Sequence, residues 1–168
     1  LLKTPILLVL AIIFGCSQAH AQQLPLYSQY LHNSYVLNPA IGGTTNHHPF
    51  VLGYRSQWAG MNAAPKTQTL SFNKAQNDKI GWGVILYNDN TGGAIKHTGT
   101  ILSYSYRMPL ENGKLSLGLA ANINQFSFNN EGLIPDDEDP LITGVSEKTV
   151  VPDATFGAYY YTDNFYVG

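Results

Sequence analysis

From Phe50 onward, apolar side chains recur at every second position along much of the chain. The clearest run is Leu115–Ile123, L-S-L-G-L-A-A-N-I, in which leucines alternate with small or polar residues. A period of two places successive side chains on opposite faces of a β-strand. The same rhythm predicts strands over Phe50–Trp58, Lys66–Lys74, Ile80–Asn88, Lys96–Arg107, Lys114–Phe126 and Ala154–Thr162, with another beginning at Phe165. In the first, Phe50, Leu52, Tyr54 and Trp58 oppose Gly53, Arg55 and Gln57. In the third, Trp82, Val84 and Leu86 oppose Gly81 and Gly83. In the fourth, Leu102, Tyr104 and Tyr106 oppose Ser103, Ser105 and Arg107.

The connections sort into two kinds. Gln76–Asp78, the Asn112-Gly113 hairpin and Asp163–Asn164 are short and polar. Ala59–Pro65, Asp89–Ile95 and Phe128–Pro152 are longer, the last carrying Asp136, Asp137, Glu138 and Asp139. Short turns at one end and longer loops at the other are the habit of bacterial outer-membrane barrels. The predicted strands run about 9 to 13 residues, at or above the 9–11 that a tilted transmembrane strand needs. The expected fold is therefore all-β: an antiparallel up-and-down transmembrane β-barrel of the outer-membrane type. Arg55, Ser103, Ser105, Arg107, Ser116, Gly118, Asn122 and Asn124 would line the lumen. Leu115, Leu117, Leu119 and Ile123 would face lipid, with Trp82, Tyr104 and Tyr106 in the interfacial belts. A secreted or lipid-anchored soluble β-sandwich that binds a ligand satisfies the same alternation, and so does a diffusion porin. The chain stops inside the strand-like Tyr166–Gly168 and opens without Met. It reads as a truncated chain of six to seven strands, further residues supplying the even count that closure requires.

Ahead of the strands lie two other regions. Lys3, the apolar run Ile6–Phe14 and Ala19-His20-Ala21 have the three parts of a signal peptide over residues 1–21. The run is too short for a transmembrane helix. Cys16, after Gly15, is the competing lipidation site. Residues 22–45 read as an N-terminal arm packed on the body. There Leu26, Tyr27, Tyr30, Leu31 and Tyr35 suggest a short amphipathic helix or turn, which Asn38-Pro39 stops. Residues 46–168 are the expected portion of the barrel.

Composition narrows the function. Charged residues make up 12% of the chain, about half the usual share, with 11 Tyr, 16 Gly and one Cys. The net charge of −2 and the absence of a Lys/Arg cluster argue against nucleic acid. A single cysteine excludes an internal disulfide framework. No nucleophile elbow, phosphate loop, H-E-x-x-H or zinc spacing is present, so neither an enzyme nor a cofactor is expected. Adjacent His47 and His48 would point to opposite sides of a strand and make poor joint ligands. The acidic loop lacks the alternate-position ligands and glycine of a calcium loop, so no metal site is expected.

The motifs of the arm and first hairpin carry a resemblance. Tyr27-Ser28-Gln29-Tyr30 and Leu37-Asn38-Pro39-Ala40-Ile41-Gly42-Gly43 resemble the opening of the PorP/SprF family. Arg55-Ser56-Gln57-Trp58, then Ala64-Pro65-Lys66-Thr67-Gln68 and Leu70-Ser71-Phe72, look like its next block. Asp139-Pro140, Pro152-Asp153-Ala154, Phe156–Tyr161 and Phe165–Gly168 resemble its middle section. Ile41 and Gly43 depart from the usual spelling. The resemblance implies an outer-membrane barrel of Bacteroidetes-type bacteria. It would work with other components of type IX secretion and gliding and with surface adhesins that it helps export or hold. The residues singled out for docking or for shaping the fold are Ser28, Gln29, Tyr30, Asn38, Pro39, Ala40, Gln57, Trp58, Pro65, Lys66, Thr67 and Gln68.

Overall fold

The computed structural model of the chain describes residues 31–61, 63–129 and 146–168. Seven strands form one sheet in strictly sequential order, every neighbour antiparallel. They are β1 (Phe50–Ser56), β2 (Lys66–Ala75), β3 (Ile80–Thr91), β4 (Ile95–Leu110), β5 (Gly113–Asn129), β6 (Ser146–Tyr161) and β7 (Tyr166–Val167). The sheet curls into a half-barrel, the all-β up-and-down architecture expected of an outer-membrane barrel.

The alternation sorts side chains as the sequence pattern requires. On the convex side Leu102, Tyr104, Leu119 and Ile123 are exposed, Leu119 at 59% and Ile123 at 58%. On the concave side Ser105, Ser116, Asn122 and Asn124 are buried, Ser116 fully so at 0%. Apolar outside and polar inside inverts the distribution of a water-soluble protein. It is what hydrocarbon on one side and an enclosed interior on the other demand. Among the described residues no second sheet covers Ile123 or Leu119, so the sandwich arrangement is not what forms.

On β5 the convex apolar run from Leu115 to Ile123 rises about 27 Å along the strand, or about 21 Å once tilted, close to the roughly 25 Å apolar band of such barrels. Large side chains line up across the middle of this run. Trp82 pairs with Tyr104 across β3 and β4, and Tyr104 with Leu119 and then Phe156 across β5 and β6. Phe72 meets Trp82 edge to face with ring centroids 5.7 Å apart.

Several boundaries differ from the pattern-based expectation. β1 ends at Ser56, and Trp58 lies beyond it at φ 53°, so it does not share the face of Phe50, Leu52 and Tyr54. β3 and β4 continue through the expected Asp89–Ile95 loop. Asp89 pairs with His97 and Thr91 with Ile95, which leaves only residues 92–94 as the turn, with Gly92 and Gly93 at positive φ. β6 begins at Ser146 rather than Ala154 and takes in Pro152, which pairs with Ile123. The signal peptide, Cys16, most of the acidic loop and Ser28, Gln29 and Tyr30 lie outside the described residues.

Candidate functional site

Strand registers decide what the concave wall looks like. One row runs Ala75, Gly81, Ser105, Gly118, Gly157 across β2 to β6. Five small residues in a row cut a groove across the strands. The arm lies in it. The short amphipathic helix or turn expected from Leu26, Tyr27, Tyr30, Leu31 and Tyr35 falls largely outside the described residues; the described part of the arm carries two 3₁₀ turns, Ser34–Val36 and Pro39–Ile41. Asn38 caps the second. Its side-chain oxygen accepts from Ala40 N at 2.9 Å, and Pro39 at the first helical position supplies the fixed φ the turn needs.

The arm is held by hydrogen bonds to the wall rather than by sequence neighbours. Asn33 Nδ2 donates to Ser71 Oγ at 2.7 Å on β2. The Tyr35 hydroxyl meets Ser103 Oγ at 2.5 Å on β4. Asn38 Nδ2 donates to Ala158 O at 2.9 Å on β6. Ser116 Oγ donates to Ala40 O, and Ser105 Oγ to Gly42 O, each at 2.6 Å. Gly43 N donates to Asn73 Oδ1 at 3.0 Å. Arg107, 7% exposed, donates to the carbonyls of Gly43, Asn77 and Ile80. Ser105, Ser116 and Asn73 thus serve arm backbone groups that would otherwise be buried without a partner, while Ser71 and Ser103 meet arm side chains.

Apolar packing completes the seat. Tyr35 and Val36 join Ile85, Tyr87, Ile101 and Ala120 in a core that sits inside the trough. The lumen wall is therefore not uniformly polar, as Ile85 and Ile101 face inward. A cavity of about 30 Å³ remains between arm and wall, bordered by Tyr35, Pro39, Ile101, Ser103 and Asn122. That is far below the roughly 300–1,000 Å³ of small-molecule sites. Closer to the loop end, Tyr87 crosses over Gly99 to donate to Asn124 Oδ1 at 2.7 Å. His97 stacks on Phe126 with centroids 4.1 Å apart. Among the described residues no group of three His, Cys, Asp or Glu assembles as a metal site, and His47 and His48 sit exposed in a bend before β1.

Burial pushes the Tyr35 phenol above its usual value of 10.0, while the Ser103 hydrogen bond pulls it partly back. Because the folded value is the higher one, this stabilisation is complete below pH 10 and is lost as pH rises through the folded value. Tyr35→Phe is expected to cost about 1 kcal/mol, since Ser103 Oγ keeps its bond to Gly83 O. It should also flatten the alkaline limb of arm docking, read by protease cleavage of the arm in detergent.

The singled-out residues fall into two places. Asn38, Pro39 and Ala40 lie in the groove. Gln57, Trp58, Pro65, Lys66, Thr67 and Gln68 lie at the opposite, loop-bearing end. There Gln57 N donates to Pro65 O at 3.0 Å, Arg55 donates to Gln57 Oε1 at 2.9 Å, and Thr67 Oγ1 donates to Asp89 Oδ1 at 2.5 Å. Trp58 is 63% exposed in the β1–β2 loop. The structure does not bring the two groups together. Sequence reasoning did not single out Gly118, Gly157 or the Arg107 clamp as a site. The signal was the small residues on inward-facing positions, which becomes a groove only once the register is known.

Against known proteins, the sequence model of one family, described as type IX secretion system membrane protein PorP/SprF, matches residues 19–168. No curated protein and no solved structure matches the chain.

Proposed function

Since the chain belongs to the PorP/SprF family of type IX secretion system membrane proteins, we propose that it is an outer-membrane barrel that works by binding proteins rather than by conducting solutes. Its partners are other secretion and gliding components and the surface adhesins exported or held through them. The observation that supports this reading is the arm lying across the concave wall. A diffusion pore keeps its lumen polar and water-filled. Here Tyr35 and Val36 occupy the trough, and wall donors are consumed by the arm backbone. Protein contacts then fall to the loop-bearing end, where the exposed Trp58 is an aromatic anchor of the kind that interfaces concentrate.

Affinity purification of the full-length protein from outer membranes in mild detergent tests this. Type IX components or an adhesin should co-purify in defined ratio, and the pure protein should give no conductance in planar bilayers. A partner-free protein that conducts ions or sugars would overturn the reading in favour of a porin.

A further inference from the structure

Charges at the loop-bearing end are divided between the two faces of the sheet. One register row runs Lys66, Asn90, Lys96, Ser127, Lys148 across β2 to β6. Lys66, Lys96 and Lys148 are exposed, and by alternation all three project from the convex side, the side of Leu70, Leu102 and Phe156. Among the described residues, the strand carboxylates at this end belong to the other face. Asp89 pairs with the inward-facing His97, and Glu147 with Phe128, in phase with the inward Phe126. Among the described residues the three lysines have no ion-pair partner. Each is the first convex charge outward of its strand's apolar stretch. Beyond Leu70 come Gln68 and Lys66; beyond Leu102 come Thr100, Thr98 and Lys96; beyond Val150 comes Lys148. The opposite end has one convex lysine, Lys74, beside turn charges of both signs.

We infer that Lys66, Lys96 and Lys148 form a contact surface for the phosphorylated headgroups of the outer leaflet. The inference rests on the outer-membrane reading above. Cations just past an apolar band, with no anion on the same face among the described residues, complement a layer of phosphates. A lysine's long stem lets its ammonium reach that layer from a somewhat lower anchor. Strands tilted by about 40° make a register row climb about 3 Å per strand, so the three anchors span about 12 Å. The headgroup zone is about 5–7 Å deep, and the lysine stems cover the rest.

The test uses the full-length protein in detergent, titrated with phosphatidylglycerol vesicles and, separately, phosphatidylcholine vesicles. Wild type should prefer the anionic vesicles in a salt-sensitive way. K66A/K96A/K148A should bind them on the order of a hundred-fold more weakly, and the triple arginine variant should bind like wild type. Equal anionic binding by the alanine variant would overturn the inference. So would binding by wild type that appears only after Asp136, Asp137, Glu138 and Asp139 are neutralised, since the acidic loop would then own the lysines. Heat-modifiable migration of the alanine variant establishes that its barrel is intact. Failure of wild type to fractionate with outer membrane would instead defeat the underlying reading.

Discussion

Gly118→Ala, the addition of one methyl group, is expected to release the arm from the wall. Gly118 lies in the small-residue row, between Ser105 and Gly157, and a Cβ there would overlap Ala40 N, Pro39 C and Ala40 Cα. These are backbone atoms of a capped 3₁₀ turn, not the tip of a side chain that could swing away. Either β5 or the arm has to move. β5 is fixed by ladders to β4 and β6, so the arm is the part that yields. Its displacement breaks a linked set of bonds: Ala40 O to Ser116, Gly42 O to Ser105, and Asn38 to Ala158. The expected cost is about 3 kcal/mol, the upper end of the usual overpacking range. The measurement is protease cleavage within residues 31–45 in detergent, together with the urea midpoint of the heat-modifiable form. Gly53→Ala is the control. Its Cβ would meet Thr69 only at 3.7 Å, an ordinary contact, and should shift stability by no more than about 0.5 kcal/mol. Equal protection of the arm in Gly118→Ala and wild type would show that the groove does not depend on glycine.

Why the sheet was readable and the groove was not follows from the range of the interactions. Each strand declares itself within about ten residues, because alternation is local. Both faces of β4 and β5 could be assigned from Leu102, Ser103, Tyr104 and Ser105, or Leu119 and Asn122, alone. Boundaries failed where backbone geometry overrode pattern. Trp58 keeps the apolar phase of β1 yet takes a positive φ, and Asp89–Thr91 are polar yet stay paired. The arm is a different problem. Ser116 is 76 residues from Ala40, and Ala158 is 120 from Asn38. No local pattern encodes such a pairing. Asn38, Pro39 and Ala40 stood out in sequence as a turn, and a turn they are. That the turn faces a trough depends on four separate strands placing Gly81, Ser105, Gly118 and Gly157 level with one another. Proximity of the arm to the body was foreseeable; its place inside the curve was not.

Arg107→Met carries the second large expected effect, and it probes the same assembly from the other end of the arm. The guanidinium donates to Gly43 O on the arm, to Asn77 O at 2.5 Å in the β2–β3 turn, and to Ile80 O at 2.9 Å where β3 begins. Methionine preserves bulk but no donors. Ile80 O would keep its bond from Gln76 N at 2.9 Å, so the loss falls on Gly43 and Asn77. Two carbonyls without partners cost about 1–3 kcal/mol each. Removing a buried guanidinium recovers part of its desolvation. A net loss of about 2–4 kcal/mol is expected in the urea midpoint. Lysine should rescue little, because one ammonium lacks the planar fork that reaches three carbonyls at once. The double variant Gly118→Ala/Arg107→Met separates the two roles of this arginine. If it served only the arm, the second substitution would add nothing once Gly118→Ala had already released it. Because it also ties the β2–β3 turn to β4, the double variant should be less stable than Gly118→Ala by about 1 kcal/mol, yet short of the sum of the singles. Full additivity would mean that arm and clamp act independently, and would remove the basis for treating residues 33–43 as one docked unit.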